Sequence, residues 1–236
     1  MPVQTVGKVL ELRRYPVKSM AAESLHSVNA SWHGFAGDRR WAFIRPAMER
    51  SGFPWLTIRE SPDLWSYQPR FLNLDDVESS TTVVHTPAGD DLEVTDPALA
   101  QRLGEGVRVI KQYGGIFDTF PISILTTQSV AGLSALAGEP LSALRFRPNI
   151  LIDTTAADPF PEDQWVGAIL RIGSYRCRVD VRDKRCVMVN VSPTGGAPNP
   201  SVLRAIANQR NARFGVYGAT VEPGDLELGA PVILES

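Results

Sequence analysis

The chain has 236 residues, 43% hydrophobic and 21% charged, with a formal net charge of −2 at neutral pH. That is enough apolar material for one large core or two smaller ones, and the near-neutral balance, without a dense Lys/Arg run, excludes the electrostatic footprint of a nucleic-acid binder. Nowhere do the roughly 18 apolar residues needed to span a bilayer run together, and the opening residues lack a charged leader before an apolar core, so the expectation is a cytoplasmic protein with no membrane contact.

The predicted elements are mostly short β-type runs punctuated by 19 glycines and 18 prolines, with few helices. In "RRYPVKSM", Pro16 interrupts a strand and leaves Lys18 and Ser19 at its end, an ammonium and a hydroxyl suited to an anion. In "GFAGDRRWAFI", Gly34 and Gly37 permit a tight turn. Arg39 and Arg40 then enter a strand with Trp41 and Phe43 on one face and Ala42 and Ile44 on the other, so one arginine is free for a phosphate or ring, or for a structural salt bridge. The stretch from Arg45 to Arg70, rich in Pro and Trp, is expected to be loosely structured. A hairpin follows, with runs Thr81 to His85 and Leu92 to Thr95 around a Pro-Ala-Gly-Asp-Asp turn.

After the β run "PISILTT", Thr127 is expected to cap a helix over "QSVAGLSALAG", with Val130, Leu133 and Ala137 on its buried face and Gly138 ending it. In "LRFRPNILID", Arg147 and Asn149 flank Pro148, which restrains their backbone before an apolar strand. In "SYRCRVDVR", Tyr175, Cys177, Val179 and Val181 alternate with polar residues, which puts Cys177 on the apolar face of a strand. Cys186 instead follows the charged stretch Arg182 to Arg185, placed between two strands, and sits at a strand entrance. A second helix, "NPSVLRAIANQR", is capped by Asn199, starts at Pro200 and buries Val202, Leu203 and Ile206. The segment "FGVYGATVEPGDLELGAPVIL" reads as a closing hairpin with a type II turn at Pro223-Gly224. The whole is a β-rich α+β fold, a β-barrel or two with appended helices.

The chain's two cysteines, Cys177 and Cys186, lack CxxC spacing, build no disulfide framework and are too few for a cysteine-held iron–sulfur cluster. Cys177 reads as a small core residue. Behind Lys184 and Arg185, the Cys186 thiol is easier to ionise, and thiolate is the form that attacks electrophiles or binds metals. His26, His33 and His85 show no zinc spacing, and no GxSxG elbow, Walker loop or GxGxxG turn is present.

Taken together, "YPVKSM", "GFAGDRRWAFI", "FRPNILID", "RCVMVNVSPTGG" and "FGVYGATVEPGDLELGAPV" resemble, in order and over nearly the whole chain, the MOSC domain proteins. The likeness is to the form with an N-terminal β-barrel domain, and above all to the amidoxime-reducing components. The resemblance implies an N-terminal domain over residues 1–100 and a MOSC domain over 101–236, with a soft and possibly interleaved boundary. It implies a molybdenum cofactor whose metal is ligated by Cys186, thiolate being a soft ligand suited to such a centre. Lys18, Ser19 and Arg39 would hold the pterin and phosphate end, with Arg147, Asn149, Arg185 and Thr119, beside Asp118, completing the cradle.

Two departures stand out. After the cysteine the family's motif commonly reads Thr-Thr-Val-Asp-Pro, where this chain has Val189-Asn190-Val191-Ser192-Pro193, and Lys184 replaces a small polar residue. There is also neither the membrane helix of mitochondrial members nor the ferredoxin domain of some bacterial ones, so electrons are expected from a separate donor protein, a reductase or ferredoxin-type partner. The implied activity is reduction of N-hydroxylated compounds such as amidoximes, N-hydroxylated bases or N-oxides. A carrier of the cofactor or of sulfur without turnover is the alternative, and a thiol redox protein using Cys177 and Cys186 is a third reading.

Overall fold

The computed structural model describes residues 3–154 and 156–235. In chain order its strands are β1 (Val3–Arg14), β2 (Glu23–Leu25), β3 (Ser27–Ser31), β4 (Gly34–Phe35), β5 (Trp41–Ile44), β6 (Gln68–Phe71), β7 (Thr82–His85), β8 (Asp91–Glu93), β9 (Arg108–Lys111), β10 (Ile122–Thr126), β11 (Ile150–Thr154), β12 (Ile169–Ile172), β13 (Tyr175–Lys184), β14 (Arg213–Glu222), β15 (Gly224–Glu227) and β16 (Pro231–Glu235). The α-helices are α1 (Pro97–Leu103), α2 (Thr127–Ala137) and α3 (Pro200–Arg210). Contacts divide the chain into two units, one from Met1–Arg13, Ser24–Ala36 and Asp118–Ser236, the other from Arg14–Glu23 and Gly37–Phe117.

The first unit is a closed seven-stranded barrel, and the length of β1 closes it. Its first half pairs with β16 (Thr5 opposite Ile233) and its second with β11 (Val9 opposite Ile152), completing the ring β1-β11-β10-β14-β13-β12-β16. Every neighbouring pair is antiparallel except β10–β11, whose parallel pairing needs the crossover that carries α2. Period-two alternation feeds two cores at once. Ile122 and Ile124 of β10 and Ile150 and Ile152 of β11 point into the barrel with Leu170, Cys177, Val179 and Val216. Leu125 and Leu151 point outward to meet Leu133 of α2 and Val202 and Ile206 of α3. Each such fully buried aliphatic side chain contributes about 1.5–3 kcal/mol.

Both expected helices form. Asn199 caps α3, its side chain accepting from the Ser201 N–H, and Pro200 takes the first position. The cap of α2 is Thr126, one residue earlier than expected, because the buried Thr126 hydroxyl, and not that of Thr127, accepts from the Ser129 N–H. Helix α1 was not foreseen, although Asp96 and Pro97 start it as Asn199 and Pro200 start α3.

The closing segment is not a hairpin. β15 leaves β14 and pairs with β3 (Leu226 opposite Val28). Gly224 is not in a positive-φ conformation; a Cβ there would come within 2.6 Å of Ser174, so close backbone approach, not a type II turn, requires glycine. The charged residues Arg182 to Lys184 lie inside β13 and not in a loop, so Cys186 stands at a strand exit. Register shifts after Val179 turn Val181, expected to face the core, out to solvent at 38% exposure.

The second unit holds the pair β5–β9 and the three-stranded sheet β6-β7-β8, the expected hairpin being β7–β8 (Val84 opposite Leu92). Its core gathers Val17, Met20, Phe43, Val84, Val94, Leu99 and Val107. Leu56 and Leu64 join that core, so the 45–70 stretch is irregular in backbone but packed, contrary to expectation. Among the described residues, no helix is long and apolar enough to cross a membrane.

Candidate functional site

Cys186 begins where β13 ends and serves as the N-cap residue of a 3₁₀ turn, Val187–Asn190, in extended backbone (φ −126°, ψ −176°). The residue before it fixes this exit. Arg185 donates from Nε to the Phe214 carbonyl at 2.7 Å and from Nη1 to the Phe146 carbonyl at 2.8 Å, and it pairs with the buried Asp183 carboxylate at 2.8 Å. Its guanidinium lies near the rings of Phe146 and Phe214, 5.6 and 6.0 Å from their centroids. Gly215 makes room for it: at φ +73°, a Cβ would meet Arg185 Nη2 at 3.2 Å and the Ile124 carbonyl at 3.0 Å.

Phe146 closes a second 3₁₀ turn, Ala143–Phe146, and the next residue, Arg147, is its cap in the left-handed region (φ +57°). Arg145 returns the link, donating from Nη1 to the Val189 and Asn190 carbonyls, both at 3.1 Å; burial lowers the pKa of its guanidinium. Two arginines thus staple the Cys186 turn to the turn carrying Arg147, bringing two expected site residues together. Asn149, 1% exposed, is committed to backbone: its Oδ1 accepts from Ser123 N and its Nδ2 donates to Arg13 O, each at 3.1 Å. It orders the strand entry behind Arg147. Thr119 is exposed in the approach to β10. The departure Val189-Asn190-Val191 has a structural use, since Asn190 Oδ1 caps Leu203 N at 3.0 Å and its carbonyl accepts from Asn199 N, tying the turn to α3.

In the second unit, Lys18, Ser19 and Arg39 are likewise brought together. The wholly buried Asp38 accepts from Tyr15 N at 2.7 Å and pairs with the Arg39 guanidinium, which lies over the Tyr15 ring, 4.6 Å from its centroid. Lys18 N–H donates to the Trp41 carbonyl, and Lys18 Nζ to the Ile116 carbonyl at 3.1 Å, while Ile116 N–H donates to the Arg39 carbonyl. Arg40 is the structural arginine of the pair, forked onto Glu78. Ser19 and Arg39 adopt positive φ (+71° and +50°). With Arg147, three of the seven non-cysteine candidates hold a conformation that costs a side-chain-bearing residue about 1–3 kcal/mol and that concentrates at functional sites.

Sequence reasoning missed Arg145, Asp183 and Asp38. Nothing in the linear pattern separates Arg145 from Arg147, since their roles follow from which carbonyls each reaches.

The two thiols differ in kind. Cys177 is fully buried, and burial pushes its pKa up to about 12; Cys186 is partly exposed. From Cys177 to the end of β13 the strand rises roughly 20 Å, far beyond the Cα separation of about 7 Å that a disulfide tolerates, so the two do not form a redox pair. Among the described residues no group of three His, Cys, Asp or Glu side chains forms a metal site. A metal at Cys186 would draw its remaining ligands from a bound group, and a partly exposed thiol beside fixed guanidinium groups fits a soft metal carried by an anionic cofactor.

A closed barrel with one accessible thiol, braced by arginines, defines the class. Residues 111–233 match the MOSC domain and residues 6–114 the MOSC N-terminal beta barrel domain, and the chain belongs to the MOSC domain family. It is 28% identical to a molybdenum cofactor sulfurase from Drosophila mojavensis over 89% of this chain and 31% of that protein. It is 30% identical to the human mitochondrial amidoxime-reducing component 1 over 50% of this chain and 37% of that one. The chain thus spans about a third of the length of these curated relatives. The crystal structure of the YUAD protein from Bacillus subtilis shares the fold, with a TM-score of 0.56 at 12% identity, covering 100% of this chain and 98% of that one.

Proposed function

We propose that the protein binds a molybdenum cofactor through Cys186 and reduces N-hydroxylated compounds, amidoximes being the reference substrate. When bound, the cofactor supplies a two-electron centre able to accept an oxygen atom. The chain's own part is to hold and orient. Cys186 supplies a thiolate, the soft donor such a metal prefers. Lys18, Ser19, Arg39 and Arg147 hold the anionic phosphate and pterin end, with Thr119 as a further hydroxyl donor. Arg185 and Asn149 act from beneath, fixing the cysteine's strand exit and the backbone behind Arg147. The observation that carries the reading is the stapling of the one accessible thiol to the left-handed Arg147 turn by Arg145 and Arg185.

The carrier reading has its own support, since relatives named molybdenum cofactor sulfurase match 89% of the chain. One experiment separates the two: elemental mass spectrometry of protein from a cofactor-making host, wild type against Cys186→Ala, with benzamidoxime reduction by a reduced viologen dye on the same samples. Near-stoichiometric molybdenum with turnover, and a fall in bound metal of more than about 100-fold in the variant, more than losing a ligand's hydrogen-bond partner costs, is the expected result. Metal without turnover supports the carrier. A folded wild type without metal rejects both.

A further inference from the structure

The last rung of the β13–β14 ladder sets Lys184 directly opposite Arg213, and both side chains are exposed. Directly opposed residues of an antiparallel pair share a face, and like charges there are destabilising. Among the described residues neither cation has an acidic partner, and Arg213 donates to the Asn211 carbonyl at 3.3 Å. Two residues earlier on β13, Arg182 shares a single carboxylate, Asp163, with Arg210 at the end of α3, so positive charge is left over there too. Between this basic rung and the 3₁₀ turn lies Cys186, and the residue after it, Val187, is an apolar side chain left 50% exposed. The chain as a whole is acidic, at −2, so this concentration is local.

A like-charge pair retained on a ladder rung, beside an exposed valine and next to the candidate metal ligand, is the arrangement of a surface that meets an acidic partner: charge steers the encounter and the apolar spot is covered on contact. Resting on the reductase reading above, we infer that the Lys184–Arg213 rung with Val187 is the docking surface for an acidic one-electron carrier protein. The electron balance requires a reductant. Breaking the N–O bond of an amidoxime consumes two electrons and two protons, gives the amidine and water, and needs two encounters with a carrier that delivers one electron each.

The test uses full-length protein and an acidic [2Fe–2S] ferredoxin as probe. Calorimetric binding of oxidised ferredoxin is measured at low and at high salt for wild type, Lys184→Glu, Lys184→Glu/Arg213→Glu and, as a control reversal in the other unit, Arg50→Glu. The wild type is expected to bind in a salt-sensitive way, and the double variant about tenfold or more weakly. The single Lys184→Glu variant turns the rung into an opposite-charge pair, so it should melt at a higher temperature while binding ferredoxin less well, opposed shifts that a merely structural residue would not give. Equal weakening by Arg50→Glu, unaltered binding in the double variant, or capture by phosphatidylserine vesicles with no ferredoxin binding would overturn the inference. Absence of dye-driven turnover in metal-loaded wild type would instead reject the reductase reading, because the binding results do not depend on it.

Discussion

The two ends of β13 are made from similar sequence and do opposite things. Up to Val179 the strand keeps strict register with β12, and despite one shift against β14 at Arg176/Cys177 its odd residues enter the barrel, with Cys177 sealed among them. Beyond Val179 two register shifts intervene, at Val179/Val181 and at Arg182/Lys184, the second opposite the left-handed Gly215. Val181 turns outward, Asp183 turns inward to meet Arg185, and the strand delivers Cys186 to a partly exposed exit. The local chemistry of a cysteine therefore does not decide its availability; the ladder register does.

Four substitutions test that contrast. Arg185→Ala should have the largest effect, since it removes two backbone hydrogen bonds and a buried ion pair at the exit, at a cost of about 3–5 kcal/mol in urea unfolding; a loss below about 1 kcal/mol would mean the exit is held by other contacts. At the upstream end, Cys177→Ser puts a hydroxyl into an apolar site and should lose about 1–3 kcal/mol while leaving metal content unchanged, the reverse of the Cys186→Ala pattern. Gly215→Ala strains the bulge opposite Arg185 and should cost about 1–3 kcal/mol, with reaction of the Cys186 thiol towards a disulfide reagent altered more than that of Cys177.

The smallest expected effect is in pH dependence. Glu162, buried beside Asp163, accepts a hydrogen bond from Thr126 Oγ1 at 2.7 Å, and burial raises its pKa above the ordinary 4.5. The native state then holds a proton that the unfolded state releases. This contribution is complete below about 4.5 and is lost as pH rises through the raised value. Glu162→Gln should flatten that decline in melting temperature between mildly acid and neutral pH; an unchanged slope would show that Glu162 is not its source.

The candidate site was proposed from motifs that gained their meaning from the family resemblance. A basic pair before a cysteine, Pro16 ahead of Lys18-Ser19, and Arg147-Pro148-Asn149 each stand out without a structure, and the structure brings Arg147 and Cys186 into one stapled neighbourhood and Lys18, Ser19 and Arg39 into another. The supporting residues were not legible. Arg145 and Arg147 differ only in which carbonyls they reach, and Asp38 matters because it is wholly buried between Tyr15 and Arg39.

By itself the sequence determined the alternation that fills the barrel, the Asn199-Pro200 start of α3 and the β7–β8 hairpin, all of which depend on residues a few positions apart. Only the tertiary structure decided that Gly224 begins a strand for β3 and that Val181 faces solvent. Those outcomes rest on pairing between segments far apart in the chain, where a one-residue shift in register reverses which side chains are buried.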